Sequence, residues 1–278
     1  MKKFVCLLIL LSTISITFAQ KKDKIKGSKI VTVETKSIEN FKSLEVADDV
    51  EVFLIKGKEN GVEIEADDNL HEAIQIEVIG TILKISTTKS IISAKKFSVK
   101  VTYTDEFKSV TSRNKSKINA LTDMDLETIT FKSYDASKLY LNVKATTFNL
   151  EMDDKSKVEL NLKTKYSKIT LSKNSTIKAL IKSTDLIFDM YQKSNAEIEG
   201  ECTNIKLRLD NNANFIGKKL TTTTAEITTE GYTNASLQID NAVIIDAIGK
   251  SEIELYGNQK IDIKQFIDSA VLRKKPAK

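Results

Sequence analysis

The chain has 278 residues, 43 Lys and Arg against 38 Asp and Glu, and a net charge of +5 with the two signs interspersed, which argues against a nucleic-acid binder. A single histidine, no tryptophan and 6% aromatic residues leave little material for His-based catalysis or for an aromatic sugar platform. One proline and nine glycines are few for a chain of many short strands, so Asn, Asp, Lys and Ser must make the turns.

Residues 1–19 read as a secretory signal peptide. Lys2 and Lys3 precede an apolar run from Phe4 to Ile16, and Thr17-Phe18-Ala19 supplies the small residue of a cleavage site before Gln20. The run is too short to span a bilayer comfortably, and Lys21, Lys22, Asp23 and Lys24 follow it. The mature protein is therefore expected to be exported, to the periplasm, the outer cell surface or the medium, with no transmembrane segment. Removing the leader leaves Cys202 alone, so no internal disulfide is available and stability must come from packing.

Residues 20–37 are expected to form a linker, and 38–107 a β-rich cap. Strand-like alternation is visible in Val50-Glu51-Val52-Phe53-Leu54-Ile55, Val62-Glu63-Ile64-Glu65, Ile74-Gln75-Ile76-Glu77-Val78 and Phe97-Ser98-Val99-Lys100-Val101, with a bend at Asp67-Asp68-Asn69-Leu70-His71. From 108 to 257 a repeat of about 19 residues takes over. Its signature is a small residue, then a polar one, then an apolar one: Ser116-Lys117-Ile118, Ser137-Lys138-Leu139, Ser156-Lys157-Val158, Ser175-Thr176-Ile177, Ala196-Glu197-Ile198, Ala213-Asn214-Phe215, Ala235-Ser236-Leu237 and Ser251-Glu252-Ile253. Alternation with period two on both sides of the small residue gives two short strands per repeat, joined at a corner near it.

Such strands cannot bury an apolar face alone. Stacking them about 4.8 Å apart closes a continuous core, so the fold expected is all-β, a parallel β-helix (β-solenoid) of about eight turns with an N-terminal β cap. The Ser/Ala column faces inward at the corner, where the hydroxyls of Ser116, Ser137, Ser156 and Ser175 can bond one another or a neighbouring carbonyl. An antiparallel sandwich is disfavoured, because no Asn-Gly or Asp-Gly pair lies within the repeats. Residues 258–278, with Arg273-Lys274-Lys275 before Pro276, read as a basic C-terminal tail.

Phe41-Lys42-Ser43-Leu44-Glu45-Val46, Val62-Glu63-Ile64-Glu65-Ala66-Asp67-Asp68-Asn69-Leu70 and Gly80-Thr81-Ile82-Leu83-Lys84-Ile85, followed by recurrent small-residue turns, resemble the exported bacterial proteins called putative auto-transporter adhesins with a head GIN domain. The resemblance covers about residues 38–257 and implies a right-handed β-solenoid of unestablished function. Phe18-Ala19-Gln20 also looks like the leader endings common among Bacteroidota. The family usually has a glycine in a Ser-Gly-Ala/Ser-Ser turn. Here the residues before the small one are Lys115, Ala136, Lys155, Asn174, Asn195, Asn212, Asn234 and Lys250.

No catalytic, cofactor or metal site is expected. His71 lies beside Asp67 and Asp68 and reads as a surface residue. Asp48-Asp49, Asp67-Asp68 and Asp153-Asp154 lack calcium-loop spacing, and Cys202 reads as a buried small hydrophobe. The outward column Lys117, Lys138 and Lys157 is the candidate ligand face, because three ammonium groups on successive turns repel one another and an anionic partner relieves that. The function expected is a non-enzymatic binding or adhesion module for a cell-surface glycan or envelope protein. The alternative is a secreted β-helix carbohydrate-active enzyme whose site the sequence does not reveal.

Overall fold

The computed structural model describes residues 22–276, so the expected signal peptide lies outside the described residues. In chain order the strands of the N-terminal region are β1 (Lys24–Lys26), β2 (Val31–Lys36), β3 (Ser43–Val46), β4 (Glu51–Lys56), β5 (Gly61–Asp67), β6 (Ile74–Ile79), β7 (Ile82–Thr87), β8 (Ser90–Ile92) and β9 (Phe97–Tyr103), with a 3-10 helix at Asp68–Ala73. There follow β10 (Ser109–Ser112), β11 (Lys117–Ser133), β12 (Lys138–Met152), β13 (Lys157–Leu171), β14 (Thr176–Met190), β15 (Asn195–Asp210), β16 (Asn214–Glu230), β17 (Asn234–Ala247), β18 (Glu252–Tyr256), β19 (Lys260–Phe266) and β20 (Val271–Lys275). Each strand from β11 to β17 pairs in parallel with the next, and the whole is a β-solenoid of about nine turns.

The corner expected at the small residue is present. Ser116, Ser137, Ser156, Ser175, Ser194, Ala213, Thr233 and Ser251 are buried in one column, because the chain turns there with no room for a larger side chain. Ser194 and Thr233 correct the repeat assigned above, which placed Ala196 and Ala235 at the corner. The ladder pairs Thr176 with Asn195 and Asn214 with Asn234, so those two copies slip by two residues. A slip of two keeps every side chain on its own face, which is why alternation alone does not detect it.

The missing turn glycine also has its explanation. The left-handed residue lies two positions before the corner, at Asn114, Asp135, Asp154, Lys173, Gln192 and Asn211, and at Gly231 and Gly249 in later turns. Asn and Asp tolerate that conformation through short polar side chains, whereas Lys173 and Gln192 gain no such relief. Three corner hydroxyls bond within their own turn, Ser116 Oγ donating to Arg113 O, Ser137 Oγ to Tyr134 O and Ser175 Oγ to Ser172 O, each at 2.8 Å, and Ser116 and Ser137 also reach Val46 O and Ser112 O of the preceding turn at 3.3 Å. The hydroxyls of Ser156, Ser194, Thr233 and Ser251 are buried without a partner.

A second corner bends each long strand. In β13 the inward residues Val158, Leu160 and Leu162 are followed by a change of phase to Ser167, Ile169 and Leu171. The ladder skips Thr146, Lys165, Thr184 and Thr203 at this bend. Inside it, hydroxyls take up the backbone: Thr164 Oγ1 donates to Tyr166 O at 3.0 Å, Ser183 Oγ to Asp185 O at 3.0 Å and Thr222 Oγ1 to Thr224 O at 3.0 Å. Between the two corners the core is filled from both sheets, with ring contacts such as Phe131–Phe148 and Phe188–Phe215.

Residues 20–37, expected as a linker, contribute β2, which pairs antiparallel with β5. Residues 258–278, expected as a solvated tail, form β19 and β20, added in parallel to β17 and β18. Both segments carry a stacked partner, and a short strand on a sheet edge needs little apolar content of its own. Asn60-Gly61 is an Asn-Gly pair outside the repeats and closes no hairpin, because β9 lies between β4 and β5.

Candidate functional site

Outward positions of β11 to β15 form one face of the first sheet. Lys117, Lys138 and Lys157 are stacked on it as the sequence predicts, each paired by register with the next, and the column continues to Thr176 and Asn195 rather than to Glu197. The three lysines differ in their surroundings. Lys117 Nζ lies 2.7 Å from Glu51 Oε1 and 5.3 Å from the centre of the Tyr140 ring, and its hydrogen bond to Glu51 raises its pKa. Lys138 and Lys157 have no carboxylate partner among the described residues.

A further unpaired ammonium, Lys163, lies six residues along β13 on the same face. Several other lysines of this face are engaged: Lys144, also on β12, with Asp125 at 2.6 Å, Lys178 with Glu197 at 3.1 Å, Lys182 with Glu201, and Lys219 with Glu199 at 2.6 Å. On this face of β12 and β13 that leaves Lys138, Lys157 and Lys163 without a carboxylate among the described residues. The sequence displays Lys163 at an outward position, but only the register shows that no acid stacks beside it.

Next to these lysines runs an open groove of about 580 Å³ lined by Tyr140, Asn142, Asn161 and Leu180, with Glu159 and, toward β15, Glu197 and Glu199, which are held by Lys178 and Lys219. Leu180 is 53% exposed there. Register stacks Asn142, Asn161 and Leu180 on successive strands. A ring face and two amides in the groove, with Lys138 and Lys163 two residues away along the strands from Tyr140 and Asn161, can take stacking, hydrogen bonds and negative charge from one extended ligand.

The other residues singled out in the sequence lie elsewhere. His71 is not a surface residue: its side chain is 12% exposed, with Nε2 2.8 Å from Thr32 Oγ1 and Nδ1 3.2 Å from Glu34 Oε2. The Glu34 carboxylate is shared between His71 and Lys36, whose ammonium lies 2.5 Å from its Oε1 and holds its pKa below the usual range. Asp67 is fully buried and accepts from the backbone amides of Lys29, Lys95 and Lys96 at 2.9 to 3.1 Å. Burial pushes its pKa up, but those amides outweigh it and hold the carboxyl below its usual range.

Asp48 is bound by Lys22 and by the Thr87 amide, and Asp153 and Asp154 share Lys173. No group of three metal-ligating side chains occurs among the described residues. Cys202 is buried in the second corner between Ser183 and Thr222, where burial raises its thiol pKa to about 11. A thiol so placed carries little thiolate at neutral pH.

A family model described as "putative auto-transporter adhesin, head GIN domain" matches residues 40–180 and 158–259. Among curated proteins none matches. Similar solved structures include a putative adhesin from Parabacteroides merdae, at 16% identity over 91% of this chain and 99% of that one, with a TM-score of 0.61. Two from Parabacteroides distasonis are a putative lipid binding protein (14% identity, 91% and 100% covered, TM-score 0.60) and a putative adhesin (17%, 90% and 100%, 0.59). At these identities the likeness is one of fold.

Proposed function

The chain belongs to the putative auto-transporter adhesin, head GIN domain family, and from that premise we propose that it is an exported, non-enzymatic binding module of the cell envelope or surface whose ligand is an anionic glycan. The observation that carries this reading is the stacked pair Lys138 and Lys157, with Lys163 farther along β13, none of them with a carboxylate partner among the described residues, while Lys144, Lys178, Lys182 and Lys219 on the same face are neutralised. Stacked cations about 4.8 Å apart repel, and a polyanion laid across β12 and β13 removes that repulsion. The adjoining groove at Tyr140, Asn142 and Asn161 supplies a ring face and amides for the sugar itself.

The test is calorimetric titration with heparin oligosaccharides and with neutral dextran at two salt concentrations. Heparin should bind with an affinity that falls as salt rises, and dextran should not. Replacing Lys138, Lys157 and Lys163 together with Gln should weaken heparin binding about tenfold or more and flatten its salt dependence, with stability changed by less than about 0.5 kcal/mol. Undiminished binding by the triple variant would overturn the assignment.

A further inference from the structure

A second groove, of about 530 Å³, runs between the segment 90–97 and the corners of the first turns. One wall is apolar, formed by the partly buried Ile91, Ala94 and Phe97. The floor carries Lys115 and Lys138, neither of which has a carboxylate partner among the described residues. Lys117 also lines it but is tied to Glu51, and Asp49 stands one turn below Lys115.

The wall is preformed. Buried Asp67 holds the amides of Lys95 and Lys96, and Lys29 Nζ reaches Ser93 O, so the segment is fixed at both its middle and its end. Gly27 is required beneath it, because a Cβ there would collide with the Asp67 carboxylate. A rigid wall of one polarity facing a floor of the other suits a ligand with the same two-sided character, and the volume lies in the range of small-molecule sites.

We infer that this groove binds an amphipathic anion, with a singly charged acidic head on Lys115 and Lys138 and a short apolar tail along Ile91, Ala94 and Phe97. Asp49 beside Lys115 favours one negative charge over two. The site shares Lys138 with the proposed glycan face but depends on an apolar wall that the face does not use.

Three probes separate head from tail: octyl glucuronide, octyl glucoside and glucuronic acid, titrated below micelle concentrations. Octyl glucuronide should bind about tenfold or more tightly than either of the others, since only it engages both sides. Ala94→Glu should reduce octyl glucuronide to the level of glucuronic acid and leave heparin binding unchanged, whereas Lys115→Gln should weaken octyl glucuronide while leaving octyl glucoside as it was. Equal binding of the two octyl glycosides, an Ala94→Glu protein that still prefers the tail, or no binding at millimolar octyl glucuronide would each overturn the inference. Loss of heparin binding in a Lys157→Gln, Lys163→Gln double variant, which leaves Lys138 in place, bears on the glycan face alone, so the two readings fail separately.

Discussion

The two ends of the solenoid manage their open edges in opposite ways. At the N-terminal end the stack is covered: β9, β5 and β2 extend the first sheet and β7 and β6 the second, with a switch to antiparallel pairing. The 3-10 helix buries Leu70 and Ala73 there, and the core ends in a polar layer of Thr32, Glu34 and His71. At the C-terminal end no strand covers β19 or β20 among the described residues, and Ile263, in line with buried Ile245, is 47% exposed.

That end is spoiled for pairing instead. Lys274 stacks on buried Leu255, so an inward position of the last strand carries a charge. The register of β19 shifts after Ile263 and leaves Lys264 out of the ladder, and Pro276 follows β20 directly. Inward charges, a bulge and a proline are devices that stop an edge from recruiting another chain. Covering an edge adds core, whereas spoiling it adds none. The cap should therefore carry stability and the C-terminal end should not.

The sharpest way to break this comparison is a charge at each end. Leu70→Asp should cost more than about 4 kcal/mol, because a buried carboxylate would have no partner, while Ile263→Asp should stay within about 1 kcal/mol. Urea melts of both variants decide it, and equal losses would refute the asymmetry. Acid should separate the ends as well. Asp67 and Asp48 have folded pKa values below the ordinary carboxylate value of about 3.9, so their contribution is complete above that pH and lost as pH falls through the lowered values. Hydrogen exchange should therefore show β5 and the 93–97 segment opening at low pH before β13 does.

Smaller effects test the turns between the ends. Ser137→Ala should cost about 1 kcal/mol, since Ser137 Oγ bonds both Tyr134 O and Ser133 Oγ, whereas Ser156→Ala should be nearly neutral because that hydroxyl has no partner. Gln192→Gly should stabilise by about 0.5–1 kcal/mol by relieving a left-handed backbone, measured in the same melts. Lys274→Leu should change monomer stability least of all, by less than about 0.5 kcal/mol. Its expected signature is concentration-dependent association in sedimentation velocity, as an unspoiled edge pairs. A variant that stays monomeric would remove Lys274 from the protective set.

Much of the middle of the molecule was legible from residues alone. Alternation around Ser116, Ser137, Ser156 and Ser175 identifies the inward face and the first corner, since period two is a property of the local backbone. The slip at Ser194 and Thr233 was not legible, because Ala196 and Ala235 are equally small and a two-residue shift preserves the face. The second corner was also missed, although Thr164, Ser183 and Thr222 mark it with hydroxyls that bond backbone inside a bend.

The candidate site divides along the same line. The sequence by itself determined that Lys117, Lys138 and Lys157 face outward in one column, because facing follows from alternation along a single strand. Only the tertiary structure decided that Lys117 is neutralised by Glu51, that Lys138, Lys157 and Lys163 are not, and that Ile91, Ala94 and Phe97 wall a groove beside them. Those facts depend on which side chain lies about 4.8 Å above or below each lysine. That neighbour is set by the register between turns and, at Glu51, by a partner 66 positions away along the chain from Lys117.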